Sequence, residues 1–571
     1  MHVYHIQPLE EDEAWDLFCK KAFSSNSNRC YLPDLVSFAQ ELVRKCEGLP
    51  LAIVALGSLM YSKNESQWTY IYKSLNWSLN NNPELEVVKT ILLLSFNDLP
   101  HQLKHCFLYC SLFPEDYEIR GKRLIKLWMA EGFVEQVKGS TPEEVAESCL
   151  VELIFRSMLQ VVHRNEFGRP KACKMHDVMR DVALPILEKH NFGVIHDGGE
   201  AMEKCKARRM SIHKMDVELK SFMGMSKLRS FLVFNNCNTL PSGSKLLRAL
   251  DLQDVPIDEL PNEVVNLFNL KYLNLRGTLL RRLPNSIGRL LNLQTLDIRD
   301  TQIEALPHGI GNLQNLWHLI MYRYTWNWND FRYVNGTNVP SNISRITNLQ
   351  SVSAIESNGD LMQQIRSMTQ RTRIGISNVK EADEMDLCDS IQNMKLLHYL
   401  FIMVTNEEET LRMDALSAPP PNLRLLILVG KLEKAPRWFH SLQSVTYLYL
   451  HWSRLEEDLL PHIAALPNLG LLSLVNAYVG KQLCFSIGFP KLTKLSIGNF
   501  PHVNEIIIGK GVMPNMKSLW IASCMELKTV PKGIEYLNLQ ELILKFASME
   551  LENCIVDSPK VRHIPKIYYH W

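Results

Sequence analysis

The sequence predicts a multidomain protein, in which an α-helical subdomain and a winged helix precede a curved α/β solenoid with parallel strands on its concave face. Three observations lead to this prediction. With 571 residues, the chain is too long for a single hydrophobic core. Its first third carries apolar residues at helical spacing, and the rest repeats one short apolar kernel at a nearly constant interval. The chain therefore changes from one architecture to another along its length.

The first third predicts helices followed by a β-hairpin. The first helix spans Leu9–Phe23 and has acidic residues in its first turn, where the helix dipole favours them. Apolar residues at helical spacing then run from Leu35 to Cys46, and Gly48 ends this helix. Further helices are predicted at Leu85–Phe96, Leu103–Phe113, Lys122–Phe133 and Glu143–Leu153, then strands at Met158–His163 and Lys171–Met175 and a helix from near His176. Several helices followed by a hairpin indicate a winged-helix domain.

The remaining chain is built from leucine-rich repeats. LRALDLQDVPIDELP from Leu247, LKYLNLRGTLLRRLP from Leu270 and LQTLDIRDTQIEALP from Leu293 superpose at a period of 23 residues. Further kernels start near Leu316, Leu349, Arg371, Leu397, Leu423, Val445, Leu469, Leu492, Met516 and Leu539, with a degenerate one at Leu228. These intervals are typical of leucine-rich repeats, whose short strands bury their apolar face only by pairing with neighbouring copies. The sequence thus predicts a solenoid.

A polar turn position also recurs in the repeats. Thr278, Thr301 and Cys524 each lie eight residues after the first residue of their kernel. The general repeat has Asn or Cys here, with a side chain that satisfies backbone groups of the turn. We expect these three side chains to do the same.

Alternation along each strand predicts which side chains lie on the concave face. In the early repeats this surface is a mixed-charge strip, formed by Asp251, Gln253, Tyr272, Asn274, Arg276, Asp297 and Arg299. In the later repeats it is apolar and aromatic, and includes Met403 and Val429. Because exposed apolar area usually marks an interface, we predict a partner-binding surface of Tyr399, Phe401, Leu425, Ile427, Tyr447, Tyr449 and Trp520. The alternative is that a neighbouring loop covers these side chains.

One repeat carries an insertion rich in aromatic residues. The step from Leu316 to Leu349 is 33 residues and contains YRYTWNWNDFRYVNG. Its six aromatic residues fit either a contact loop or a segment that packs back on the edge of the solenoid. Both interpretations stay open at this point.

Composition excludes several classes of protein. The formal net charge is +1, so no chain-wide field attracts nucleic acid or an anionic membrane. The 13 cysteines form no CxxC pair, which argues against a zinc site and favours a reducing compartment. The longest apolar stretch, Leu49–Met60, is too short to span a bilayer, and the first residues lack the apolar segment of a secretion signal. We therefore expect a soluble, cytoplasmic protein.

Three short motifs are ordinary when taken one at a time. GLPLAI from Gly48 marks a break between two helices. CFLYCSLFPEDYEI and LIKLWMAEGFV need nothing beyond core packing. In the MHD motif, Asp177 could cap the following helix, and His176 would lie beside exposed N–H groups that suit a phosphate.

In this order, and followed by the repeats, the three motifs closely resemble the nucleotide-binding, leucine-rich-repeat (NB-ARC/LRR) disease-resistance proteins of plants, in their coiled-coil class. The resemblance implies that Gly48, Leu49, Pro50 and Leu51 line the adenine side of an ADP or ATP site. It also implies that His176 approaches the phosphates of ADP and that Asp177 helps to hold a closed state. The implied domains are a partial helical subdomain at 1–80, a winged helix at 81–195 and the solenoid at 205–571.

The sequence departs from that family at the phosphate site. It contains no G-x-x-x-x-G-K-[ST] loop, which would cradle the β- and γ-phosphates. We therefore expect the N-terminal half of the nucleotide-binding module to lie outside this chain, and ADP or ATP to bind weakly or not at all to the chain alone. We predict no catalytic residue and no metal site.

Three functions compete at this stage. The leading prediction is an intracellular plant immune receptor whose repeats recognise a pathogen effector or a guarded host protein, and also contact the protein's own nucleotide-binding module. One alternative is a truncated, non-signalling fragment or decoy that acts as a protein-binding scaffold. Another is an ATP hydrolase, which the missing phosphate loop disfavours. DNA binding by the winged helix is disfavoured too, because Lys122–Phe133 reads as a mostly apolar core helix.

Overall fold

The structure is a computed structural model that describes residues 7–23, 33–61, 63–81, 87–135, 137–165, 168–197, 206–214, 226–235, 244–324, 330–358, 362, 364–456 and 458–570. It divides into two compact units, Met1–Leu250 and Asp251–Trp571. Each is described separately below. The boundaries predicted for the three domains stay predictions.

The first unit begins with five helices, α1 (Glu11–Ala22), α2 (Pro33–Arg44), α3 (Pro50–Met60), α4 (Glu65–Asn81) and α5 (Val87–Asn97). Acidic residues occupy the first turn of α1, and Lys20 and Lys21 its last turn, so both ends complement the helix dipole. Phe18 of α1 packs edge-on against Trp68 of α4, with ring centroids 6.2 Å apart. The predicted helices are confirmed, and α4 is an addition.

A winged helix follows, as predicted. It consists of α6 (His101–Cys110), β1 (Ile119–Arg120), α7 (Gly121–Glu131), α8 (Pro142–Phe155), β2 (Gln160–Arg164), β3 (Pro170–Lys174) and α9 (Asp177–Lys189). The three strands form an antiparallel sheet in the order β1-β3-β2. Phe107 and Trp128 are fully buried between the helices. Thr141 starts α8 with a capping box, since its side chain accepts from the Glu144 N–H and the Glu144 carboxylate accepts from the Thr141 N–H.

The first unit also contains the earliest strands of the solenoid, β4 (Val194–Asp197), β5 (Arg209–Lys214) and β6 (Ser230–Val233). They pair in parallel in this order. The kernel predicted at Leu228 leads into β6, whereas β4 and β5 were not predicted. Their sequences keep buried residues such as Met210 and Ile212 but lack the leucine kernel.

The later strands are β7 (Ala249–Asp251), β8 (Tyr272–Asn274), β9 (Thr295–Asp297), β10 (His318–Ile320), β11 (Arg323–Tyr324), β12 (Val334–Asn335), β13 (Ser351–Glu356), β14 (Arg373–Val379), β15 (Tyr399–Val404), β16 (Leu425–Val429), β17 (Tyr447–His451), β18 (Leu471–Val475), β19 (Gln482–Phe485), β20 (Lys494–Gly498), β21 (Glu505–Ile508), β22 (Ser518–Ala522), β23 (Glu541–Lys545) and β24 (Lys566–His570). The α-helices that accompany them in the described part of this unit include α10 (Glu384–Asn393), α11 (Leu460–Ile463) and α12 (Met549–Asp557). Each predicted kernel from Leu247 to Leu539 begins two residues before a strand of this series.

In the second unit, β8–β10, β13–β18, β20 and β22–β24 form one parallel ladder, with register shifts in the pairs β13–β14 and β14–β15, while β11–β12 and β19–β21 form separate two-stranded sheets. Leu425 pairs with Tyr447 and Tyr447 with Leu471, so equivalent kernel positions stand side by side. The kernel leucines between them, such as Leu448 and Leu450, are fully buried. The predicted solenoid is therefore confirmed.

Two polar devices hold the repeats together. Thr278 Oγ1 donates to the Leu275 carbonyl at 2.7 Å and Thr301 Oγ1 to the Ile298 carbonyl at 2.8 Å, as the turn position predicts. Between repeats, the asparagine that precedes several of the kernels donates to a carbonyl of the preceding repeat. Examples of this ladder are Asn292 to Phe268, Asn315 to Leu291, Asn468 to Gln443 and Asn515 to Pro490, at 2.7–2.9 Å. These bonds satisfy backbone groups that the irregular side of each repeat would otherwise leave unpaired.

Within the described ranges, no helix combines the length and the apolar character that crossing a membrane requires. The same residues contain no group of three or more His, Cys, Asp or Glu side chains that could hold a metal ion.

Candidate functional site

Gly48 closes a tight turn between α2 and α3. Its φ of +71° lies in the left-handed region, and its carbonyl accepts a hydrogen bond of 2.9 Å from the Leu9 N–H. A Cβ at Gly48 would lie 2.4 Å from the Leu9 carbonyl oxygen. Glycine is required here on both counts, because any side chain would be strained and would strike backbone.

Replacing Gly48 with alanine should lower the free energy of unfolding of this helical region by about 2–4 kcal/mol, from the left-handed backbone and the clash together. Urea unfolding followed by hydrogen exchange of α1 and α3 amides would measure it. Gly139 is the matched control, since its φ is +88° but nothing lies within 4 Å of its Cβ position. Gly139→Ala should cost about 1 kcal/mol. Equal losses in the two variants would contradict the close approach to Leu9.

The residues after Gly48 present apolar surface at the start of a helix. Leu49 is the residue before α3 and is 39% exposed, and Pro50 is the first residue of the helix and is exposed. Proline is favoured at this position because its missing N–H would be unpaired there anyway. Leu51 is half-buried. These positions fit the apolar contact that the family resemblance implies for a base.

His176, not Asp177, caps α9. The His176 backbone is extended (φ −73°, ψ 145°), and its Nδ1 accepts from the Val178 N–H at 3.4 Å. The predicted cap at Asp177 is therefore wrong by one residue. Asp177 is the first residue of the helix, where the helix dipole stabilises its negative charge. Its carboxylate does not cap the helix by a hydrogen bond to the N–H groups of the first turn.

The cations near His176 already have partners. Lys174 Nζ lies 2.5 Å from Asp116 Oδ1, and this contact raises the pKa of Lys174 and lowers that of Asp116. Arg180 Nη1 donates to the carbonyls of Ser111 and Phe113 at 2.7 and 2.5 Å.

The two halves of the predicted nucleotide site lie on different elements. Helix α5 contacts both α3 and α9. Among the described residues, no hydrogen bond or ion pair joins Gly48–Leu51 to His176 or Asp177. His176 brings one imidazole, Asp177 brings a negative charge, and the neighbouring cations are paired. The residues present therefore do not form a phosphate site by themselves.

The predicted partner-binding surface lies mostly where alternation places it. Tyr399, Leu425 and Tyr447 stand in one register row of β15–β17, with Ile427 and Tyr449 in the next. All five are half-buried, as is Trp520 on β22. We call these six residues the aromatic strip. Phe401 is the exception, and its predicted exposure is wrong.

Phe401 is only 3% exposed because of its neighbour on β14. Gly375 pairs with Phe401, and a Cβ on Gly375 would lie 3.3 Å from Phe401 Cδ1. The missing side chain lets the ring lie against the adjacent strand, so the ring loses its contact with solvent.

The described part of the aromatic insertion packs back on the solenoid. We call residues 330–335 the insertion segment. Tyr333 Oη lies 2.8 Å from His451 Nδ1, the Phe331 ring lies 5.8 Å from that of Trp452, and Arg332 donates to the Thr405 carbonyl at 3.0 Å. His451, Met403 and Val429 are correspondingly buried. The covering-loop alternative thus holds at the carboxyl ends of the strands, while the aromatic strip remains half-buried. Trp326 and Trp328 lie outside the described residues.

The early charged strip is largely buried and self-neutralised. Asp251, Asn274 and Asp297 are at most 4% exposed. Asn274 Nδ2 donates to Asp251 Oδ1 at 2.8 Å, and Arg299 Nε donates to Asp297 Oδ1 at 2.9 Å. The exposure that alternation predicted for Asp251, Asn274 and Asp297 is wrong: Asp251 and Asn274 bond to each other across adjacent strands, and Asp297 bonds to Arg299 two residues later in its own repeat.

Sequence reasoning missed a buried polar network that centres on Glu131, the last residue of α7. The Glu131 side chain has no exposed surface, and its Oε2 accepts from Arg209 Nη2 at 2.6 Å. Its Oε1 accepts from Ser230, which also accepts from Tyr109 at 3.1 Å. The Glu131 carbonyl accepts from Arg248 Nη1 at 2.8 Å. The network ties α6 and α7 of the winged helix to β5 and β6.

Arginines gather around this carboxylate. The Arg209 guanidinium stacks 3.9 Å from the Phe192 ring centroid and 4.8 Å from that of Phe133. Burial, and then the charges of Arg248 and Arg208, lower the pKa of Arg229. The sequence offered little to indicate this network. It shows one acidic residue at the end of an apolar helix and the pair Arg208-Arg209 far from it along the chain.

These features define a protein of the leucine-rich-repeat class that carries a winged helix before its repeats. Residues 227–554 match the family described as "Leucine-rich repeat region", and residues 112–183 match the "Disease resistance protein Winged helix domain". The chain is 46% identical to Disease resistance protein RPM1 of Arabidopsis thaliana, over 100% of this chain and 63% of that protein. It is 28% identical to Disease resistance RPP8-like protein 3 of the same plant, over 99% of this chain and 64% of that protein.

The chain therefore belongs to the leucine-rich-repeat disease resistance proteins of plants. It spans about two thirds, 63–64%, of the length of these relatives. Among solved structures, a leucine-rich-repeat protein of Leptospira interrogans is 21% identical, over 60% of this chain and 90% of that chain, with a TM-score of 0.38. That likeness is too low to carry an argument.

Proposed function

We propose that this chain is the recognition part of a plant immune receptor, and that its repeats bind a pathogen effector or a guarded host protein. The aromatic strip carries this proposal. Its six half-buried residues stand on rigid parallel strands, where large side chains lose little conformational freedom on binding. Leucine-rich solenoids use extended strand surfaces of this kind to bind proteins.

The Glu131 network supplies a route from the repeats to the winged helix. Glu131 forms hydrogen bonds with Arg209, Ser230 and Arg248 simultaneously. A displacement of the first strands would therefore also displace the end of α7. A bound partner would shift the receptor between two states only if it binds one of them more tightly. The chain's role in this proposal is binding and transmission, without catalysis.

Control by ADP or ATP belongs to the same proposal, with Gly48, Leu49, Pro50 and Leu51 on the side of the base and His176 and Asp177 as latch residues. The paired cations near His176 support weak or no nucleotide binding by this chain alone. We place the receptor in the cytoplasm. In support, Cys46, Cys106, Cys110, Cys149, Cys173, Cys388, Cys484, Cys524 and Cys554 form no disulfide, which is the state that a reducing compartment maintains.

The experiment replaces Tyr447 and Tyr449 together by glutamate in the natural gene and challenges the plants with pathogen strains that the unaltered plants resist. Resistance should be lost, because two buried charges would face the partner without compensation. Circular dichroism and the unfolding temperature of the purified protein should stay unchanged.

Tyr536→Glu is the matched control, since Tyr536 is 54% exposed and lies on a turn away from the strands. It should leave resistance intact. Retained resistance in the double variant would contradict the role of the strip. Equal resistance in plants with and without the gene would contradict a receptor function, and partner binding without any resistance would favour the decoy.

A further inference from the structure

A group of cations stands at the amino-terminal edge of β14–β16. Arg373 is the first residue of β14, and His398 and Arg424 directly precede β15 and β16. Arg424 is exposed and the other two are half-buried. We call these three residues the basic edge. Burial, and then the charges of Arg424 and Arg373, lower the pKa of His398, and the Arg424 N–H donates to the His398 carbonyl at 2.9 Å.

The basic edge adjoins the aromatic strip. The Arg373 guanidinium lies 4.8 Å from the centroid of the Tyr399 ring, and Tyr399 pairs in register with Leu425. Further along the same side of the ladder, Lys494 Nζ lies 4.2 Å from the Trp520 ring. A cation therefore lies against a ring near each end of the aromatic strip, at Tyr399 and at Trp520.

Among the described residues, Arg373 and Arg424 lack the carboxylate partner that several other arginines of these repeats have. Arg412 contacts Glu381 and Glu433 at 2.9 and 3.1 Å. Arg454 contacts Glu407 and Glu408, and Arg366 contacts Asp389 at 2.7 Å. Of the described carboxylates, none forms an ion pair with Arg373 or Arg424.

The charges of these repeats are also segregated by edge. Glu407, Glu408 and Glu409 follow β15 at the carboxyl end of the strands, opposite the basic edge. Glu407 and Glu408 are paired with Arg454, so the basic edge is the end of the strip whose charge is available to an anionic partner. Such an arrangement orients a partner as well as attracting it.

We propose that the basic edge and the aromatic strip together bind an acidic protein segment that carries leucine or aromatic side chains between its carboxylates. This inference rests on the proposed function, since it names the chemistry of the partner for the same face. The partner's carboxylates lie against Arg373 and Arg424, and its apolar side chains lie on Tyr399, Leu425 and Tyr447. Bidentate pairing with guanidinium favours carboxylates that are free to approach from solvent.

Single-stranded nucleic acid also uses rings and cations, but this surface suits it less well. Leu425 separates Tyr399 from Tyr447 in one row, and Ile427 adjoins Tyr449 in the next, so no run of adjacent rings is available for successive bases.

The test measures binding of fluorescein-labelled peptides to the full chain by fluorescence anisotropy. One short peptide alternates glutamate with leucine and tyrosine, and its partner peptide has glutamine in place of every glutamate. The glutamate peptide should bind at least about tenfold more tightly, and raising the salt from about 0.05 M to about 0.5 M should remove most of this advantage. An oligothymidylate is the nucleic-acid probe.

The variant Arg373→Glu with Arg424→Glu should weaken binding of the glutamate peptide by at least about tenfold. Arg373→Gln with Arg424→Gln should weaken it less, and it guards against a folding defect. Lys510→Glu with Lys528→Glu is the matched control, because both lysines are exposed on loops outside the strip and the charge change is the same. This control should bind as the unaltered chain does.

Equal binding of the two peptides, full binding by the Arg373→Glu, Arg424→Glu variant, or preference for oligothymidylate would each overturn the acidic-partner proposal. Those outcomes leave the proposed function standing if plants with the Tyr447→Glu, Tyr449→Glu variant still lose resistance. Retained resistance in those plants would instead remove the strip as the recognition surface, whatever the peptides show.

Discussion

Replacing Glu131 by alanine is expected to lower the free energy of unfolding of the winged helix and first strands by about 3–5 kcal/mol. The loss is large because the change leaves the Arg209 guanidinium buried without its counter-charge. The Arg209 side chain is 4% exposed, so water cannot replace the carboxylate. Ser230 and Arg248 remain, but neither can neutralise a cation. Native-state hydrogen exchange of the amides in α7, β5 and β6 would measure the loss.

A double-mutant cycle separates the ion pair from its surroundings. Glu131→Met combined with Arg209→Met should be much more stable than Glu131→Ala, because two apolar side chains leave no unpaired charge. Glu147→Ala in α8 is the control, since Glu147 is exposed, and its effect should stay within about 0.5 kcal/mol. A Glu131→Ala variant as stable as the control would show that the buried pair contributes nothing.

The Glu131–Arg209 ion pair lies where the winged helix meets the first strands, so hydrogen exchange in Glu131→Ala also tests the proposed transmission. Glu131 ends α7, Arg209 begins β5 and Ser230 begins β6, so one carboxylate joins three elements. If exchange in Glu131→Ala rises in β5 and β6 as well as in α7, the winged helix and first repeats unfold as a coupled unit. Coupling of that kind is what the proposed transmission requires.

Acidification should destabilise the central repeats through His451. Burial lowers the pKa of this imidazole to about 3 from its usual value near 6.5. The unfolded chain therefore binds a proton near pH 6.5, whereas the folded chain does not until near pH 3. The contribution of neutral His451 to the free energy of unfolding is therefore fully present above pH 6.5 and decreases as the pH falls towards 3. At pH 4.5, two units below 6.5, the loss from His451 should be about 3 kcal/mol.

The variant His451→Gln isolates this effect. Glutamine can still donate to and accept from Tyr333 and Ser473, which contact the two ring nitrogens at 2.8 and 3.0 Å. The difference in unfolding free energy between pH 7.5 and 4.5 should shrink by the His451 share in this variant. It should not change in His502→Gln, because His502 is exposed. An unchanged pH dependence in His451→Gln would mean that this imidazole is solvated.

Protonation of His451 should also make the insertion segment easier to cleave. Tyr333 and Phe331 hold it against His451 and Trp452, so a charged His451 would weaken its attachment. Trypsin cleavage after Arg332 should then accelerate as the pH falls towards 5, where trypsin retains measurable activity, and His451→Gln should slow this acceleration.

The repeated kernel made most of the solenoid predictable. Each Leu or equivalent at the same kernel position must be buried, and a short strand finds cover only from copies in the same register. The ladder strands from β6 to β23 therefore begin two residues after the predicted kernels. β4, β5, β24 and the strands of the two small sheets, β11, β12, β19 and β21, were not predicted because their sequences lack the full kernel. The observed helix ends differ from the predicted ones by one to three residues, because terminal turns depend on caps that spacing does not encode.

The candidate site was predictable in kind but not in detail. The motifs located Gly48 and His176, and the left-handed turn at Gly48 agrees with its glycine. The change of cap from Asp177 to His176 followed from where the helix begins, a difference of one residue that spacing cannot resolve. The aromatic strip came from alternation, which failed at Phe401 because Gly375 belongs to another strand.

Local pattern was therefore enough to establish the helices, the winged helix and the parallel ladder, because each depends on residues close in sequence or on one repeated kernel. Local pattern did not predict the contact between Glu131 and Arg209, which are 78 positions apart, or the contact between Tyr333 and His451, which are 118 positions apart. Nothing near either residue in the chain specifies its partner. Such contacts exist only after packing brings distant segments together and withdraws them from water, and that withdrawal is what makes the Glu131–Arg209 pair costly to break and His451 difficult to protonate.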